Sequence, residues 1–394
     1  MPIDYRQIYV QIREIGAGAK ERKKALEERR ALARNLLAAF SSELDVLKSK
    51  VDSAKAVDPS IRCAVPLKEP LASRRPTVGS VSNATLIAAD GSQINPDRRA
   101  AVQFGLVNVG AIVMRLDSGE APLVFTETEL LFGDALTLNG NPISEGMVAL
   151  KRDLAERRKL DELSQGYSGQ VVTFTDGPIE LWGAQGEDST AFYEFLEKYK
   201  NALSRLQSRG VITAGYVDKP SADLVARLLE VAYADAEQTR ALREFHPLCG
   251  VSDRWLFGER ENPLLPPGER SAVFKIQSSS EKNYQGALEV HFFYLNVGVE
   301  GRPWPVRVEI PRWVADDPAQ LDLLHAALVN QCRMMGSRPY PYLLHRAHET
   351  AIVKMEEKRQ IEQLLALELR RHNEEVDEGS YKQSAKDLQG RTRV

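Results

Sequence analysis

The chain has 394 residues, enough for one large or two ordinary domains with a sizeable core. Its hydrophobic content of 43% and charged content of 27% place it among globular proteins and exclude a fibrous or wholly disordered chain. With 52 basic against 55 acidic residues the net charge is -3, so a nucleic-acid partner would need a local basic surface.

The opening Met1-Pro-Ile-Asp-Tyr-Arg lacks the charged-then-apolar layout of a secretion signal, and no apolar run approaches membrane-spanning length, so the cytoplasm is the expected location. From about Ala17 to Val51 the spacing of Leu32, Leu36, Phe40, Leu44 and Leu47 predicts one long helix with a dense charged face. Such a helix packs on its own domain or on a twin subunit, with Phe40 and Leu44 as candidate contacts; a basic arm touching DNA is the alternative. Asp58 to Gly79 carries four prolines and reads as a linker or irregular wrap.

An apolar β-prone run from Ala84 leads to Asp90, and a long alternating run follows from Val102 to Leu116. A third strand over Pro122 to Thr126, a helix over about Ser144 to Leu163, and a strand ending at Asp176 come next. A helix around Ala191 to Gln207 and a strand over Val211 to Val217 complete the series. Three strands, helix, strand, helix, strand is the order of an α/β ribonuclease H-like core, a mixed sheet with flanking helices, here extended by the amino-terminal helix and by carboxy-terminal helices and strands. Ser221 to Glu244, Pro318 to Met334 and Tyr342 to Arg371 read as helical; Ser271 to Ile276, Ala287 to Val297 and Pro305 to Ile310 read as strands. The expected organisation is an arm and linker over 1–80, a catalytic domain over 81–372, and a polar tail over 373–394.

Asp90-Gly91-Ser92 and Asp176-Gly177-Pro178 each follow an apolar strand, which sets two carboxylates at the rim of a sheet. Hard divalent cations take several oxygen ligands, and two carboxylates can bridge a pair of them beside a phosphodiester. Alternatively, each Asp simply caps a turn, since Asp-Gly is a common turn dipeptide. A third acid is expected from the intervening helix, where Asp153, Glu156, Asp161 and Glu162 stand; Glu156 is the choice, with Glu127 and Glu129 as rivals because they directly follow a strand. In Pro339-Tyr-Pro-Tyr-Leu-Leu-His-Arg-Ala-His-Glu349, Pro341 suits a helix start, and His345, His348 and Glu349 fall on adjoining turns. His348 could ligate a metal or move a proton, and Tyr340 could meet a phosphate, although a helical His is more often structural. Lys219, after the last core strand, could contact a substrate phosphate or lie exposed in a turn. Gly268-Glu-Arg-Ser271 with Asp253-Arg254 could hold a backbone phosphate or form a buried ion pair. Cys63, Cys249 and Cys332 are scattered and odd in number, which points to neither a disulfide framework nor a zinc knuckle.

Through Asp90-Gly-Ser, Asp176-Gly, Asp218-Lys-Pro220 and the closing Tyr-Pro…Ala-His segment, the chain resembles the NurA nucleases over roughly Ala84 to Ile352. The resemblance implies a ribonuclease H-like core that binds manganese, or magnesium, and cuts single- and double-stranded DNA, including 5′ to 3′ degradation during double-strand-break end resection. It also implies a homodimer docked on a HerA-type hexameric translocase. Asp90 and Asp176 match the family's metal-binding aspartates, Glu156 its helix glutamate, and Tyr340 and His348 its late Tyr and His. Pro178 departs from the Ser that often follows the second Asp-Gly. Two other functions compete. An actin-like or sugar-kinase-like ATP-binding protein would need a duplicated second half with a Gly-rich loop, and neither is visible. A non-catalytic adaptor of a DNA motor would keep the fold without a tight metal site.

Overall fold

A computed structural model describes residues 4–138, 140–181, 189–374 and 376. The chain forms two compact units, each drawn from two stretches: the first from Met1–Val78 and Val217–Asp316, the second from Gly79–Tyr216 and Asp317–Val394.

In chain order, helices α1 (Tyr5–Ala17), α2 (Ala19–Ala39) and α3 (Leu44–Val57) and short strands β1 (Cys63–Pro66) and β2 (Arg74–Arg75) open the first unit. The second unit then contributes β3 (Thr85–Ile94), β4 (Gly105–Arg115), β5 (Leu123–Leu131), the small hairpin β6 (Thr137–Leu138) and β7 (Asn141–Pro142), α4 (Glu145–Ser164), β8 (Val171–Asp176), α5 (Ser189–Ser208) and β9 (Ile212–Val217). The chain returns to the first unit with α6 (Leu224–Tyr233), α7 (Ala236–Arg240), α8 (Asp253–Phe257), β10 (Arg270–Ser271), β11 (Phe274–Gln277), β12 (Val290–Asn296), β13 (Pro305–Pro311) and α9 (Arg312–Ala315). Helices α10 (Pro318–Met334), α11 (Tyr342–Ala351) and α12 (Met355–Arg371) complete the second.

In the second unit the strands lie in the order β9-β8-β3-β4-β5. The first three in sequence are antiparallel, and β8 and β9 then add parallel to β3 and to each other. That is the ribonuclease H-like sheet. Its central strands are near-continuous apolar runs, as strands covered on both faces must be: Leu86, Ile87, Ala88 and Ala89 are fully buried, as are Val172 and Phe174. Alternation along the strands shows what covers each face. Thr173, Thr175 and Thr213 face α4, where Arg157 reaches the last two, while Asp90 faces α11.

The first unit holds the antiparallel series β1-β11-β12-β13, with β10 pairing both β12 and β2. The stretch expected to be a linker therefore supplies two strands, and Pro66 is tolerated because it ends β1 at the edge of the series. The single helix expected over Ala17 to Val51 is also broken. Its first interruption falls at Gly18 and its second at Phe40 to Glu43. There the Ser41 carbonyl accepts from the Leu71 amide at 2.8 Å and its hydroxyl from the Ala72 amide at 3.2 Å, so its polar groups serve a neighbouring segment instead of a helix. Phe40 and Leu44 are half-buried, whereas α1 buries none of its residues and exposes Tyr5, Tyr9, Ile12 and Ile15. The helix expected from Tyr342 to Arg371 is interrupted between Ala351 and Met355. The polar tail expected from residue 373 lies largely outside the described residues.

Candidate metal centre

The two Asp-Gly pairs are not equivalent. Asp176 ends β8, and Gly177 takes the left-handed conformation (φ 92°) that glycine tolerates, so a true turn follows the carboxylate. Asp90 lies inside β3, which runs on to Ile94 against β4; the expectation that the strand ends at Asp90 fails. What ends near Asp90 is the parallel pairing, whose last register pair is Ala89 with Thr175. Asp90 and Asp176 are thus the next residues on two adjacent parallel strands, which run about 4.8 Å apart and send both side chains from the same face.

Gly91 has a different task from Gly177. A Cβ there would fall 2.5 Å from Arg152 Cγ and 2.7 Å from Glu156 Oε1. The missing side chain lets α4 press its acid against the strand beside Asp90. Gly110, the cross-strand partner of Asp90, does the same for α11: a Cβ there would lie 2.6 Å from both the Ala347 carbonyl oxygen and the Ala351 amide nitrogen. Ser92 Oγ and Asn108 Nδ2 both donate to the carbonyl of Ala351, the last residue of α11, and Asn108 Oδ1 accepts from Thr128 at 2.6 Å. At the other end of α11, Pro341 precedes the first turn and the Leu343 amide donates to Gln331 Oε1 at 3.1 Å. Held at both ends, the helix sets His348 Nδ1 2.6 Å from Asp90 Oδ2. Tyr340, just ahead of the helix, packs edge-on against Tyr216 with centroids 5.4 Å apart. His345 lies 3.5 Å from Glu349 in an exposed pair on the same helix.

Burial and like charge dominate the acids. Glu156 is 6% exposed. Its burial, then Asp153 and Asp90 beside it, push its carboxyl well above the usual range, with Arg152 and Arg157 pulling back. Burial also raises Asp153, against the pull of Arg152, which it meets at 2.7 Å. Arg157 is almost fully buried and is held by Thr213 Oγ1, Thr175 Oγ1 and the Tyr199 hydroxyl at 2.9–3.1 Å.

The other acids of α4 have structural partners. Asp161 binds Arg205 of α5 and Arg209 just beyond its end, while Glu162 shares Lys159 with Glu127 of β5. Glu127 and Glu129 lie within β5, which continues past the expected end at Thr126. Lys219 belongs to the first unit, 5.7 Å from the ring centroid of Trp304, whose indole N–H donates to Asp218. Arg270 forms the ion-pair alternative, with Glu69 at 3.1 Å, and Asp253 caps α6 through the amides of Val225 and Ala226. The sequence reading missed Arg152, Arg157, Asn108 and Gly110. Only Gly110 left a signal, as a glycine in mid-strand, where another backbone commonly approaches closely.

Among the described residues no group of three or more His, Cys, Asp or Glu side chains converges closely enough to hold a metal unaided. The donor set still suits a hard divalent cation. Asp90 and Asp176 offer carboxylates from one face, and Glu156 lies where a Cβ of Gly91 would go. Cations that act on phosphates are commonly held by one or two carboxylates completed by water and substrate oxygens, without a closed protein cage.

The NurA domain profile matches residues 84–353. Among solved structures, the NurA nuclease from Sulfolobus solfataricus is similar with a TM-score of 0.52 at 12% identity, covering 93% of this chain and 98% of that one. The catalytic domain of human Endonuclease V gives a TM-score of 0.32 at 14% identity over 82% of this chain and 98% of that one, too remote to carry an argument. No curated protein matches the chain by sequence. The sheet defines a ribonuclease H-like protein with acids at the switch from antiparallel to parallel pairing. With the domain match covering most of its length, the chain belongs to the NurA family.

Proposed function

We propose that this NurA-family protein is a divalent-metal-dependent DNA nuclease, and that Asp90, Glu156 and Asp176 hold its manganese, or magnesium, ions. The observation that carries the reading is the register of β3 and β8, whose last pair, Ala89 with Thr175, immediately precedes Asp90 and Asp176 in the two strands. A bound divalent cation would supply polarisation of the phosphodiester and an activated water. The chain's own residues do the rest. Asp90, only 13% exposed, is oriented by His348, and His348 is 58% exposed and can hold or release a proton at the scissile bond. Tyr340, fixed against Tyr216, offers its hydroxyl to the substrate backbone.

In this reading the enzyme cuts DNA internally and from 5′ ends, acts in double-strand-break end resection with a HerA-type hexameric translocase, and works as a homodimer. The apolar residues exposed along α1 support a protein partner, since solvent is a poor neighbour for Tyr5, Ile12 and Ile15 together. The test is digestion of end-labelled linear DNA with manganese, with and without the translocase. Asp90→Ala should abolish cleavage while leaving the circular dichroism spectrum unchanged. Wild-type cleavage by that variant would refute the assignment, and folded wild-type protein that neither cuts DNA nor binds manganese would point to an adaptor.

A further inference from the structure

Two arginines on α4 face the acid cluster, and they are held in different ways. Arg157 is locked in the interior by two threonines and a tyrosine. Arg152 lies at the rim with a third of its side chain exposed. Its guanidinium is 2.7 Å from Asp153 Oδ1 and 3.5 Å from Glu156 Oε1, and its stem passes over the backbone of Gly91. Burial works against its charge, yet Asp153, Glu156 and Asp90 together hold its pKa above the usual value. Besides Asp153, Arg152 thus balances two of the carboxylates, Glu156 and Asp90, that the proposed function gives to the metal.

A guanidinium and a divalent cation cannot both draw fully on the Glu156 oxygens. They compete for the lone pairs and repel each other across a short, poorly solvated gap. Arg157 has no room to leave, whereas Arg152 has solvent on one side and a flexible stem. We infer that Arg152 is a displaceable counter-cation, which neutralises the acid cluster and gives up Glu156 when a divalent cation binds. It is a positioning residue and not a metal ligand. The inference rests on the reading of Asp90 and Glu156 as metal ligands.

Isothermal titration of manganese into the full-length protein separates the two ideas, using wild type, Arg152→Gln, Arg152→Lys and Asp90→Asn, each checked for folding by circular dichroism. Arg152→Gln should bind manganese roughly tenfold more tightly than wild type, a change in the ordinary range for coupled sites. Arg152→Lys, which keeps the charge, should stay close to wild type, and Asp90→Asn should weaken binding. Tightening is the informative sign, because mere damage to packing would loosen the site. If Asp90→Asn weakens binding but Arg152→Gln binds no more tightly than wild type, the exchange is refuted while the metal site stands. If folded wild type and Arg152→Gln both fail to bind manganese, both ideas fall together.

Discussion

In the first unit Glu281 lies between Lys55 and Lys275, each at 2.6 Å, and Glu69 between Arg75 and Arg270 at 2.8 and 3.1 Å. Despite partial burial, these cations hold both carboxyls below their usual range. In the second unit Asp90, Asp153 and Glu156 crowd one another; burial and mutual repulsion raise Glu156, and burial raises Asp153. Asp223 and Asp253 are exceptions in the first unit, both raised by burial; Asp253 is pushed up to about 6, although it accepts from two backbone amides and the Tyr294 hydroxyl. The contrast separates carboxylates placed to stabilise a fold from carboxylates gathered at a cost to it. A gathered set is what a cation-binding site requires, and the surrounding packing must hold it together.

That packing is the first place to break the comparison. Gly110→Ala sets a methyl group against the backbone of α11, so it should cost about 1–3 kcal/mol and pull His348 away from Asp90. A thermal melt in chelator should drop by several degrees; an unchanged melt would show that the helix does not rest on this strand as described. Smaller and opposite in sign is Glu156→Gln. The folded-state pKa of Glu156 lies above the ordinary 4.5, so the folded protein keeps a proton that the unfolded chain has already released. Stability therefore falls as pH rises from about 4.5 towards the folded pKa, and the glutamine variant should escape that loss. In chelator at pH 7 it should melt above wild type by up to about 2 kcal/mol, with the gain shrinking near pH 4. The smallest effect belongs to Glu281→Gln, a loss of under about 1 kcal/mol at neutral pH for a partly exposed pair. The folded-state pKa of Glu281 lies below 4.5, so its contribution is present above that pH and drains away as pH falls through the folded value. If both glutamate variants show the same pH slope in urea titrations, the distinction between the two kinds of acid is lost.

Much of this was legible in the sequence. The strand and helix order of the second unit and the helix carrying His348 follow from apolar runs and turn residues. What stayed hidden depends on register. Gly110 matters because it lies opposite Asp90, and Gly91 because Glu156 and Arg152 come across from another element; neither neighbour is near in sequence. Arg157 left no signal because the hydroxyls that hold its guanidinium lie 18 to 56 residues further on. The break at Ser41 was missed for a similar reason, since its partners lie about thirty residues further on. Of the Asp-Gly pairs, one is a turn and the other a gap left for a helix, and the dipeptide alone does not distinguish them.

The way the chain alternates between its units has a consequence for synthesis. Asp90 and His348 are 258 residues apart, and the helix that carries the histidine is made only after the first unit's last stretch has been translated. A growing chain on the ribosome therefore exposes its acidic strand long before the histidine exists to orient it. On the proposed function, products truncated before α11 would carry the aspartate without its imidazole, and the ability to cut would arrive only once that helix has been made.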